Sequence, residues 1–136
     1  MDDLKKNKRN ITDLIEWRVS AGFPSPAESY IDTPLNLHDH VVKHPAATFF
    51  VRVSGDSMIG AGIFNGDLLV VDRSLEYHEN SIIVAVLNGD FTVKRISQKN
   101  GRITLYPENS LFIPIVIQEY DEFMVWGVVT YSLREH

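Results

Sequence analysis

The chain has 136 residues, 44% of them hydrophobic and 23% charged, with a net charge of −5. One domain with a short appendage is expected, since a chain near ~150 residues hides roughly 70% of its unfolded surface without staples. The absence of cysteine excludes disulfides, zinc–thiolate sites and thiol nucleophiles, and the acidic balance argues against backbone-driven DNA binding, which needs clustered Lys and Arg.

The N-terminal segment opens Met1-Asp2-Asp3-Leu4-Lys5-Lys6, with no apolar signal-peptide core behind it. No apolar run approaches the ~18 residues of a membrane span, so a cytoplasmic location is expected. Residues 1–22 hold five basic and four acidic groups, and residues 23–136 hold eight and fourteen. The basic groups are therefore concentrated at one end. Leu4, Ile11, Leu14, Ile15 and Arg18 fall near one helical face, which predicts a short helix capped by Asn10 and ending near Trp17.

Gly22-Phe23-Pro24-Ser25-Pro26 forbids helix and reads as extended, solvent-reachable chain. Residues 1–21 then form an N-terminal arm, residues 22–46 an extended linker and residues 47–136 a β domain. Within the last, runs such as Thr48–Val53, Asp67–Val71, Ser81–Val86 and Phe91–Ile96 are β-branched and aromatic. Ile103–Tyr106, Ile113–Ile117 and Phe123–Tyr131 continue the series. Asn65-Gly66, Asn88-Gly89 and Asn100-Gly101 each signal a type I′ hairpin, in which both central residues need positive φ. The fold class expected is mainly β, with a curved, barrel-like core.

Two residues stand out chemically. Ser57 follows Gly55 in Ser54-Gly55-Asp56-Ser57-Met58, where glycine allows a sharp turn that exposes a hydroxyl and frees backbone N–H groups. Lys94 lies in the apolar run Phe91–Ile96, where alternation puts it on one face with Thr92 and Ile96. A serine needs a base to become a nucleophile, and lysine is a base only when neutral. Burial supplies that by desolvating the ammonium, and a drop of roughly 3 pK units costs about 4 kcal/mol. Thr92 can steady the amine. The backbone N–H groups of Ser57 and Asp56 are the candidate oxyanion donors.

These motifs carry a resemblance. Ser54–Met58, Gly62-Ile63, Gly66-Asp67 and Phe91-Thr92-Val93-Lys94-Arg95, with Ala21-Gly22-Phe23-Pro24-Ser25-Pro26-Ala27 upstream, resemble the LexA/UmuD family of self-cleaving serine peptidases. The likeness runs from about Ala21 to about Val129. It implies Ser57 as nucleophile, Lys94 as general base and cleavage between Ala21 and Gly22. It also implies a homodimer, activation by a RecA–single-stranded DNA filament, and a Y-family polymerase subunit as partner in SOS mutagenesis. Only 21 residues precede Gly22, too few for a helix-turn-helix domain, so a free-standing repressor is not expected. A non-catalytic dimeric interaction module that regulates a polymerase is the alternative, and exchange into heterodimers is a third possibility.

No metal or cofactor is expected. His38-Asp39-His40 and His44 match no metal-ligand spacing. Gly55–Gly60 has the outer glycines of a phosphate loop, but Ala61-Gly62 stands where Lys-Ser/Thr is required.

Overall fold

A computed structural model describes residues 11–15, 21–22 and 32–136. The chain divides into two compact units, Met1–Lys43 and His44–His136.

In the first unit, β1 (Ile11–Ile15) pairs antiparallel with β2 (Asp32–Asn36). The described part of the expected Asn10–Trp17 helix is thus a strand; Asn10, Glu16 and Trp17 lie outside the described residues. A helix of this length is marginal by itself, and Ile11, Thr12 and Ile15 are β-branched, so pairing with a second strand wins. Part of the segment read as extended linker is also structured. It holds β2 and a short helix, α1 (Leu37–Val41), whose first turn is capped by the Asn36 side chain accepting from the Asp39 N–H. Pro24 and Pro26 lie outside the described residues.

The second unit is one antiparallel seven-stranded sheet. Its strands are β3 (Thr48–Arg52), β4 (Leu68–Asp72), β5 (Ile82–Leu87), β6 (Asp90–Lys99), β7 (Arg102–Tyr106), β8 (Ile115–Val116) and β9 (Phe123–Leu133). Their spatial order is β3-β4-β9-β5-β6-β7-β8. The expected β domain is present, but its barrel-like core is not a closed one, because β3 and β8 remain as edges. Strand β9 runs through the middle and bends at two bulges, where Trp126 and Thr130 have no direct partner.

Asn88-Gly89 and Asn100-Gly101 close the β5–β6 and β6–β7 hairpins, and all four residues take positive φ. Asn65-Gly66 behaves differently. Only Gly66 has positive φ, and its turn closes a long loop between β3 and β4 instead of a tight hairpin.

Alternation along β5 splits the core between two faces. Val84 packs with Val53, Met58, Ile63, Leu69 and Val71, whereas Ile83 and Ala85 pack with Ile96 and Leu105. The loop 54–66 is tied to the first cluster through Val53, Met58 and Ile63. Lys94 pairs directly with Ile83, which puts it on the face of the second.

Candidate active site

Ser57 sits on the loop between β3 and β4. The base of that loop is closed by Val53 N–H on Asp67 O and Gly66 N–H on Val53 O, both at 2.9 Å. Gly55 turns with φ +96, and its N–H donates to Asn65 Oδ1 at 2.8 Å. On the other side, Met58 is only 2% exposed and anchors the chain in the core one residue after the serine. The backbone is thus held on both sides of Ser57, at Gly55 and at Met58.

Lys94 approaches from β6. Its Nζ lies 2.8 Å from Thr92 Oγ1, 3.0 Å from Ser57 Oγ and 3.1 Å from Val93 O. The side chain is buried and has no carboxylate partner among the described residues. Burial accordingly holds its pKa below the usual lysine range. A neutral amine has two N–H donors and one lone pair. Val93 O and Thr92 Oγ1 can take the donors, which leaves the lone pair for the Ser57 hydroxyl proton. This is the geometry of a nucleophile with an adjacent base.

Backbone donors stand beside the hydroxyl. Among the described residues none accepts from the N–H of Asp56, Ser57 or Met58. These N–H groups can therefore meet a developing oxyanion, with Met58 as a third candidate beside the two singled out from sequence.

Sequence reasoning misses the residues that hold the loop against the sheet. The segment after β7 clamps it from two sides: Glu108 N–H donates to Ser57 O at 2.8 Å, and Gly60 N–H donates to Glu108 O at 2.7 Å. The Glu108 carboxylate pairs with Arg95, the neighbour of Lys94 on β6. Asn109 Nδ2 donates to Asp56 O at 2.9 Å. Pro107-Glu108-Asn109-Ser110 reads as a polar turn, and nothing local in it points to a partner 53 residues away.

Ala21 and Gly22 form an exposed bend in the first unit. His38 and Asp39 lie 3.5 Å apart on the exposed α1, while His44 Nδ1 sits 2.6 Å from Asp72 Oδ2. Asp72 and Arg73 do not pair with each other. Asp72 accepts from the Ser74 N–H and hydroxyl, and Arg73 lies over the Trp126 ring and donates to Trp126 O at 2.9 Å.

Residues 13–130 match the family described as Peptidase S24-like. Protein MucA of Salmonella typhimurium is 51% identical over 120 residues, which cover 88% of this chain and 82% of that protein. Protein SamA of Salmonella typhimurium strain LT2 is 45% identical, over 86% of this chain and 81% of its own length. The LexA repressor of Bordetella pertussis is 39% identical over 86% of this chain, which spans only 54% of that repressor. A Ser–Lys contact, three open backbone donors and a match across nearly the whole sequence converge on one conclusion: the chain belongs to the Peptidase S24-like family, in its LexA/UmuD branch.

Proposed function

We propose that this chain is a self-cleaving serine peptidase that cuts its own Ala21–Gly22 bond. The carrying observation is the 3.0 Å approach of Lys94 Nζ to Ser57 Oγ, made by a buried amine whose pKa is lowered. Ser57 Oγ attacks the Ala21 carbonyl while Lys94 takes the hydroxyl proton, and the N–H groups of Ser57 and Asp56 meet the oxyanion. Lys94 then gives the proton to the Gly22 amine as the peptide bond breaks. Water, deprotonated by Lys94, finally hydrolyses the Ser57 ester and releases the arm, residues 1–21. Thr92 holds the amine in place throughout. A tethered substrate is present at high effective molarity, so a modest catalyst suffices for a single cut.

The cut product serves the SOS response as the accessory subunit of an error-prone translesion polymerase. Family membership and the resemblance around Gly22–Ala27 support this reading, together with a homodimeric state, RecA–single-stranded DNA filaments as activator and a Y-family polymerase subunit as partner. Incubation of the purified chain, alone at high pH or with RecA filaments, should yield a species beginning at Gly22. Ser57→Ala and Lys94→Ala should stay intact. An unchanged wild-type mass under both conditions overturns the peptidase. A Ser57→Ala chain supplied already truncated at Gly22 should still support mutagenesis, because the cut then acts only as a switch.

A further inference from the structure

Two consecutive carbonyls beside the nucleophile are taken by one pair: Ser57 O by Glu108 N–H, and Asp56 O by Asn109 Nδ2, the shorter of its two bonds, the other being from Ile59 N–H at 3.4 Å. The Asn109 carboxamide is engaged at both ends. Its Oδ1 accepts from Leu111 N–H at 3.0 Å, and its Nδ2 donates to Asp56 O at 2.9 Å. Its own carbonyl accepts from Phe112 N–H at 3.0 Å. The orientation of the amide is therefore determined, since a flipped group would lose both side-chain bonds. A turn-forming Asn explains the Leu111 contact. It does not explain the donor aimed across at Asp56.

The consequence follows from the trans peptide. In a planar trans unit the C=O of one residue and the N–H of the next point in opposite directions. Holding Asp56 C=O toward Asn109 turns the Ser57 N–H the other way, where no described residue accepts from it. We infer that Asn109 is a positioning residue for the oxyanion hole, fixing the Asp56–Ser57 peptide so that the Ser57 N–H is aimed at the scissile carbonyl oxygen. This rests on the reading of Ser57 as nucleophile. Asn109 touches neither substrate nor the reacting atoms and acts through the backbone of Asp56.

The test compares Asn109→Asp and Asn109→Ala with the full-length wild type, following self-cleavage by intact mass from pH 6 to pH 10. Asn109→Asp keeps the acceptor for Leu111 N–H but sets a carboxylate oxygen against Asp56 O. Asn109→Ala removes both contacts. Losing an oxyanion donor outright costs ~10²–10³ in rate, so a misaimed one should cost about 10- to 100-fold. Both variants should slow by that factor at the high-pH plateau. In Asn109→Ala the midpoint of the pH–rate curve should stay at the wild-type value, because Lys94 is untouched. The Ser57 amide resonance should also shift in Asn109→Asp. Wild-type rates in Asn109→Asp would reduce Asn109 to a turn residue and overturn the inference, as would a displaced midpoint in Asn109→Ala. A wild type that does not cut while Ser57→Ala behaves identically removes the underlying reading, and this inference with it.

Discussion

Lys94 Nζ and Ser57 Oγ meet at 3.0 Å although one is carried by β6 and the other by the loop between β3 and β4. Among the described residues the amine has no counter-charge, and its lowered pKa comes from burial. For a base of this kind the neutral fraction, and with it the cleavage rate, rises about tenfold per pH unit below the pKa of the folded state and then levels off. The same shift acts on stability. Between the lowered folded pKa and the ordinary value of 10.5 the unfolded chain binds more protons, so stability rises with pH across that window. Lys94→Met should abolish cleavage and flatten that slope. Rate and thermal melts measured across pH 6–10.5 check both; a pH-independent rate counts against lysine as the base.

Thr92 Oγ1 lies 2.8 Å from the amine and is one of its two fixed acceptors beside Val93 O. One hydrogen bond of this type is worth about 0.5–1.5 kcal/mol, which corresponds to a few-fold to about tenfold in rate. Thr92→Val should lower the plateau rate by that factor, and Thr92→Ser should retain most of it. Equal rates in the two variants would show that the hydroxyl does not orient the amine.

Gly60 packs closely against the backbone of Glu108, in the segment after β7. A Cβ there would lie 2.6 Å from the backbone oxygen of Glu108, which cannot swing away as a side chain would. Gly60→Ala should break the Gly60–Glu108 bond, lift the loop from its clamp and cost at least about tenfold in cleavage, given how steeply rate depends on placement of the reacting atoms. Gly62→Ala is the contrast: open space surrounds its Cβ, but its φ of +78 strains any side chain, so stability should suffer more than rate. The two substitutions are separated by comparing Tm with initial rate.

Legibility in the sequence follows the range of the interaction that decides each feature. The strands of 48–133 can be read because alternation and β-branching are local, and two Asn-Gly turns because Leu87–Asp90 and Lys99–Arg102 pair directly across them. Asn65-Gly66 departs from the hairpin expectation because its neighbours fold back through Asp67 O and Val53 N–H, which turn chemistry alone does not reveal. Ile11–Ile15 carries a helical spacing, and pairing with Asp32–Asn36 overrides it. Lys94 and Ser57 are legible as residue types in suggestive settings. Their supports are not, because Asn109 reaches Asp56 across 53 residues and Glu108 reaches Ser57 over a similar span.

Asp67 shows how the far end of the chain bears on the same loop. Its carboxylate is fully buried; Arg134 donates to it from Nε at 2.8 Å and from Nη2 at 3.0 Å, and Phe64 N–H donates at 2.9 Å. Arg134 Nη2 also reaches Gly62 O at 2.8 Å, and its guanidinium lies over the Phe64 ring. The hydrogen bonds from Arg134 hold the Asp67 pKa below 3.8 against the opposing effect of burial. Because the folded pKa is depressed, this stabilisation is fully present above the unfolded value and is lost as pH falls through the folded one. Removing the arginine leaves a buried carboxylate short of partners, which is costlier than removing the pair. Arg134→Met should therefore lower Tm at neutral pH and move the onset of acid unfolding upward, while Asp67→Asn with Arg134→Met should recover part of the loss. Melts from pH 3 to pH 8 decide it: an unaltered acid limb in Arg134→Met would mean that Phe64 N–H alone holds Asp67 ionised, and that the C-terminal segment is no brace for the serine loop.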